Sequence, residues 1–191
     1  MPRILPLEPP YDPDVARHLE GTMPPGIPPI GLFRTFARNL PMATAMGGWG
    51  RYELSKALSL SMRDRELLID RTCARCGCEY EWGVHVAFFA ERVGFTAEHV
   101  TSLTHGGPDD GCWTDRDRTL ISIADQLHDT ATVDDALFGR ASALLSEAEL
   151  LDAFLLCGWY HAISFAANAA GVANEDGAPT FDSVGSPRLL P

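Results

Sequence analysis

The stretch from Arg65 to His85, R-E-L-L-I-D-R-T-C-A-R-C-G-C-E-Y-E-W-G-V-H, gathers carboxylate, thiol and imidazole groups into one short segment. Gly77 divides it into two helical pieces. The second starts at Cys78 and runs to about Arg92, because Trp82, Val86, Phe89 and Val84, Phe88 recur at helical spacing. At ~100° per residue, Cys78, Glu81 and His85 fall within about 60° of one another, so three reactive side chains share a face. Glu81 and His85, at i and i+4, can share a hydrogen bond, while burial against Trp82 and Phe88 disfavours a charged carboxylate. Coupling of that kind brings a pKa toward neutrality and suits general acid/base chemistry. On this reading His85 gives or takes the proton at the reacting carbon, Glu81 is its partner or base, and Glu66 orients or relays. Arg71 is a candidate to steady a substrate carboxylate.

Each of these residues also has a plainer reading. Glu66 can pair with Arg63 on a solvated helix face. Cys78 lies near a helix N-terminus, where the dipole lowers a thiol pKa, yet a small buried hydrophobe fits the position equally. Tyr80 and Trp82 read as core. His161, in an apolar segment, either lines the same cavity as a substrate contact or packs in the core with one hydrogen bond.

The elements that must position these groups read as helices throughout. Pro and Gly cluster from Pro6 to Pro29, so residues 1–28 form an extended arm pinned onto a body or a neighbouring subunit. Leu32, Phe33, Phe36 and Leu40 mark an amphipathic segment ending near Pro41, and the Gly47, Gly48, Gly50 cluster permits a turn before Tyr52. Ser61-x-x-Asp64, Thr114-x-x-Asp117 and Ser146-x-x-Glu149 are capping boxes or variants of them, and each opens a helix. Glu147 to Ala170 is apolar nearly all round and stops at Gly171. That length can cross a bilayer, but Asp152, His161 and Asn168 interrupt it, so a core or subunit-interface helix is favoured. Residues 174–191 read as a polar tail, and no strand pattern competes with the helices.

Composition sets limits on function. The 191 residues are 46% hydrophobic, enough for one buried core, and the net charge of -11 argues against nucleic acid or an anionic membrane as partner. The N-terminus lacks the continuous apolar run of a signal peptide, so a cytoplasmic location is expected. Five cysteines, three of them crowded at Cys73, Cys76 and Cys78, do not resemble a secreted disulfide framework.

Glu66, eleven residues, then Cys78-Glu79-Tyr80-Glu81-Trp82 and His85 resembles the core motif of the carboxymuconolactone decarboxylase and alkylhydroperoxidase D superfamily. The surroundings are similar too: L-F-R-T-F-A upstream, C-W-T-D-R-D-R-T-L and A-D-Q-L-H downstream, then G-W-Y-H-A-I-S-F. The likeness covers about Pro29 to Val172, which the resemblance marks as one helical domain over 29–173. It implies an all-α bundle assembled as a homotrimer or homohexamer, with a small-molecule substrate and no cofactor or metal. The peroxide-reducing branch of that family carries Glu, C-x-x-C and His, and it is the second cysteine that attacks. Here Glu66, Cys78 and His85 match, but Glu81 stands at the second cysteine. The decarboxylase branch lacks the redox pair and has an E-Y-E-W-like stretch, similar to Glu79 to Trp82. General acid/base chemistry on a lactone or carboxylated substrate therefore leads. Thiol peroxidase activity through a relocated pair drawn from Cys73, Cys76 and Cys78 is the alternative. A zinc set of Cys73, Cys76, Cys78 and His85 is a further rival, disfavoured because three thiols in adjoining helical turns lack the usual separated knuckles.

Overall fold

A computed structural model describes residues 2–185, and within them the chain is helical with no strand. The expected tail over 174–191 therefore lies in part, at 186–191, outside the described residues. The helices are α1 (Pro13–Glu20), α2 (Gly31–Phe36), α3 (Leu40–Glu53), α4 (Met62–Arg75), α5 (Glu79–Phe89), α6 (Ala97–His105), α7 (Asp115–Thr130), α8 (Asp135–Ser142) and α9 (Glu147–Ala170). A turn of 3₁₀ helix at Ala37–Asn39 leads directly into α3.

Helix α4 is the axis of the bundle and packs against α5, α6, α7 and α9. Every residue from Asp64 to Cys73 on it is buried, which places five acidic or basic side chains in the interior. A buried charge is tolerated only when it is paired or neutralised. Asp64 meets Arg116 at 2.9 Å, Arg71 meets Asp125 at 2.7 Å, and Arg65 meets Glu66 at 2.5 Å. Among the described residues Asp70 has no ion-pair partner, and its Oδ1 lacks a hydrogen bond.

The expected caps form. Ser61 Oγ accepts from the Asp64 amide at 3.1 Å, and the Thr114/Asp117 and Ser146/Glu149 boxes close in both directions. Between α4 and α5, Gly77 takes φ +58°. This left-handed residue lets the Cys78 amide reach Cys73 O at 2.9 Å and the Gly77 amide reach Ala74 O at 3.0 Å, a Schellman ending that turns the chain straight into α5.

Two local expectations are corrected. Pro41 starts a helix instead of ending one: it sits in the first turn of α3, where a missing N–H costs nothing, and Asn39 caps that turn. The helix then runs on through Gly47, Gly48 and Gly50, where Trp49 packs against Trp159 and Tyr52. The N-terminal arm is pinned to the body by bonds from the Arg3 and Ile4 amides to Ala170 O and from the Leu7 amide to Arg34 O. It is not extended throughout, because Asp12 caps α1 and Pro13 opens it.

Helix α9 is long and apolar enough to cross a membrane, but half of its apolar window is buried inside the bundle against α4, α5, α7 and α8. The segment after it folds back as a strap over α5. Glu175 accepts from the Gly31 amide at 2.5 Å and from Tyr80 Oη at 2.6 Å, and the Phe181 amide donates to Glu79 Oε2 at 2.8 Å. Gly83 admits this strap, since a Cβ there would lie 2.6 Å from Pro179 O.

Candidate acid/base site

Glu66 and Asp70 stand one turn apart on α4, facing α5 and α9. The Schellman turn aims α5 so that His85 meets Glu66, with Nδ1 2.7 Å from Oε2. Arg65 Nε donates to the other Glu66 oxygen at 2.7 Å. The opposite edge of the imidazole faces two oxygens: His85 Nε2 is 3.1 Å from Tyr160 Oη on α9 and 3.6 Å from Glu81 Oε1 on its own helix. Phe89 stacks on the imidazole at 5.4 Å, Arg65 lies over the same phenyl ring at 5.3 Å, and Tyr160 meets the imidazole edge-on. Glu66, Glu81 and His85 are all less than 10% exposed.

Burial alone would push the His85 pKa down. The Glu66 charge and hydrogen bond, followed by those of Glu81, outweigh it and raise the imidazole to about 10. His85 therefore holds its proton at neutral pH between two carboxylates. Asp70 is shifted well above the usual carboxylate range by burial and then by the Glu66 charge, against a smaller opposing effect of His85. Tyr160 is held far above the ordinary phenol value by burial and by Glu81 and Glu66. An imidazole, two carboxyl groups and a phenol converge in a buried cluster, where a hydrogen bond is electrostatically strong.

The structure thus brings together three of the residues singled out by sequence, Glu66, Glu81 and His85, and adds Arg65, Asp70 and Tyr160. The Glu66 partners are Arg65 and His85; Arg63 instead pairs with Asp117 and lies over Phe95. Cys78 is the N-cap of α5, but its side chain is fully buried, and burial raises the thiol above its ordinary value despite a backbone bond at Glu81. The dipole effect expected there is outweighed by desolvation. Cys73 is shifted well up by burial, and all five cysteines are free thiols.

Arg71 and His161 face elsewhere. Arg71 forks onto Asp125 through Nε and Nη2, at 2.7 and 2.9 Å, and its Nη1 donates to Leu103 O and Gly106 O. With those bonds made, it is a brace between α4, α6 and α7 and has no hydrogen bond to the Glu66–His85 cluster. His161 bonds Cys157 O at 2.7 Å and His128 at 3.0 Å. The four-residue zinc set also separates: His85 joins Glu66, while Cys76 turns toward His128. Among the described residues, three metal-ligating side chains do meet at Cys76, His128 and His161.

No protein-family model matches the sequence, and no curated protein matches it significantly. Solved structures do match. An uncharacterised peroxidase-related protein from Ralstonia eutropha, described as an alkylhydroperoxidase AhpD core, superposes with a TM-score of 0.75 at 17% identity, over 91% of this chain and 93% of that one. This chain has the alkylhydroperoxidase D-like fold. A peroxidase-related protein from Silicibacter sp. gives 0.74 at 16% identity over 93% of this chain and 96% of that one. The debrominase Bmp8 gives 0.67 at 19% identity over 91% and 92% of the two chains. A cysteine-to-alanine variant of that debrominase, in complex with 2,3,4-tribromopyrrole, matches equally well at 0.67.

Proposed function

We propose that this protein is a general acid/base enzyme that moves a proton at a carbon of a small carboxylated or lactone substrate, as carboxymuconolactone decarboxylases do. The observation carrying this reading is the buried His85 imidazole clamped at Nδ1 by Glu66, with Nε2 directed at Glu81 and Tyr160. His85 is the acid: as the bond to the carboxylate breaks and CO₂ leaves, the electron pair passes into the conjugated enolate, and Nε2–H delivers its proton to the carbon. Glu66 and Arg65 hold the ring in position, and Glu81 and Tyr160 flank its Nε2 edge, where this reading seats the substrate. A thiol peroxidase has less support, because Glu81 replaces the attacking cysteine and burial holds Cys78 as a thiol. On this proposal the enzyme is cytoplasmic and homo-oligomeric.

The test uses the full chain in D₂O with a panel of lactone carboxylates and β-keto acids, plus a bromopyrrole because one structural neighbour binds such a ring. NMR follows loss of CO₂ and deuterium arriving at carbon. Turnover by the wild type that disappears in His85→Gln and in Glu81→Gln, with helicity intact, is the expected result. Full activity in either variant overturns the assignment.

A further inference from the structure

At the C-terminal end of α4, three helices bring soft and nitrogen ligands to one point. Cys76 caps the C-terminus of α4, His128 lies in the last turn of α7, and His161 lies mid-way along α9. Cys76 Sγ is 3.8 Å from His128 Nδ1, His128 Nδ1 is 3.0 Å from His161 Nε2, and all three ligand atoms fall within 4.8 Å of one another. We infer that Cys76, His128 and His161 form a Zn²⁺ site, with the fourth coordination position left to water or an exogenous ligand.

The geometry is close to what the metal requires. Tetrahedral zinc with ordinary bond lengths sets its nitrogen ligands about 3.4 Å apart and a sulfur about 3.6 Å from each nitrogen. The sulfur–nitrogen separation of 3.8 Å is slightly long and the nitrogen–nitrogen separation of 3.0 Å slightly short, so the two rings must part a little and the Cys76 thiol move in for a metal to seat between them. Bundles commonly build metal sites in this way, from side chains on facing helices.

The surroundings orient the ligands. His161 Nδ1 lies 2.7 Å from Cys157 O, and because a carbonyl only accepts, Nδ1 carries the proton and Nε2 presents its lone pair to the cluster. A backbone carbonyl holding the far nitrogen of a histidine is the usual second contact of a metal-bound imidazole. With that lone pair fixed, the His128 Nδ1 proton fills the gap between the two rings, in the place a cation would take. The Cys76 backbone is held by the Schellman turn, and its carbonyl accepts from Asn168 Nδ2 at 3.0 Å. The cysteine is therefore presented from a fixed turn. Cys73 and Cys78 take no part, and the site is separate from the Glu66–His85 cluster.

The test is titration of the chelator-treated full chain with Co²⁺ and then Zn²⁺, read by absorption and by competition with a chromophoric chelator. One equivalent of Co²⁺ per chain, a thiolate-to-cobalt charge-transfer band and its displacement by Zn²⁺ are expected. The band should vanish in Cys76→Ser, and Zn²⁺ affinity should fall at least about tenfold in His128→Gln and in His161→Gln. Cys112→Ser should keep both. Circular dichroism on each variant separates loss of the site from loss of the fold, and the two histidine variants decide the matter if Cys76→Ser does not fold. Absence of the charge-transfer band in the wild type, or its persistence in Cys76→Ser, overturns the site.

Discussion

Tyr160 of α9 and His85 of α5 meet edge to face at 88°, with the phenol oxygen 3.1 Å from the imidazole Nε2. That contact engages the Nε2 edge of the ring, the edge assigned to proton transfer in the proposed function, since the other edge is committed to Glu66. Tyr160→Phe keeps the ring packing and removes one hydrogen-bond partner. It is expected to lower kcat by roughly tenfold to a hundredfold with little change in KM, in keeping with loss of one proton-handling contact. Equal loss in KM would place Tyr160 in substrate binding instead.

The Glu66–His85 pair makes stability pH-dependent. His85 is raised from 6.5 to about 10 in the folded chain, so its contribution is fully present below about pH 6.5 and is lost as pH rises toward 10. Urea unfolding of the wild type should show falling stability across that window. Glu66→Gln removes the main cause of the shift, so the decline should flatten and the His85 resonance should titrate at lower pH. The variant should also be destabilised by about 3–5 kcal/mol at pH 6, because Arg65 and His85 are left as buried cations.

Much of this arrangement was legible in the sequence, and the reasons differ by residue. The Glu81 and His85 proximity follows from helical periodicity within one element, and Gly77 marks the break between α4 and α5 by its conformational freedom. Tyr160 was missed in favour of its neighbour His161. A one-residue step on a helix turns a side chain by about 100°, and only the packing of α9 on α4 and α5 decides which of the two faces the site. Arg65 was missed because adjacent helical residues do not ordinarily face one another, and Asp70 because its upward-shifted carboxyl depends on burial that no local pattern reveals. The run of α3 through three glycines was hidden for a related reason: tertiary packing overrode weak propensity.

Glu53, at the end of α3, offers an independent check of buried charge. The residue is 1% exposed, and burial, followed by the charge of Asp152, lifts its carboxyl from 4.5 to about 7. A raised acid contributes stability below about pH 4.5 and loses it as pH rises through 7. Glu53→Gln is therefore expected to stabilise the chain at pH 8 by about 1–2 kcal/mol and to have less effect at pH 5. A destabilised variant at pH 8 would show that the carboxylate is well solvated or paired.

Gly83 is where the strap touches α5. Gly83→Ala puts a methyl group against Pro179 O, a contact that backbone atoms must move to relieve. The strap should lift, which limited proteolysis would detect as cleavage near residues 178–184, at a cost of about 1–3 kcal/mol. An unchanged proteolysis pattern and melting temperature would argue that the strap is already loose.

The outer face of α9 carries Leu151, Leu155 and Phe165, which are 61%, 52% and 63% exposed. Their spacing, with Gly158 and Ala162 between, traces a stripe along one side of the helix opposite its buried face. Isolated exposed leucines need no explanation, but a continuous apolar stripe on the longest helix does. The proposed homo-oligomer would cover it. Leu155→Asp and Phe165→Asp, alone or combined, should shift the species seen by light scattering from trimer or hexamer to monomer without loss of helicity. A wild type that is monomeric at high micromolar concentration would remove the reason for the stripe and with it the oligomeric reading.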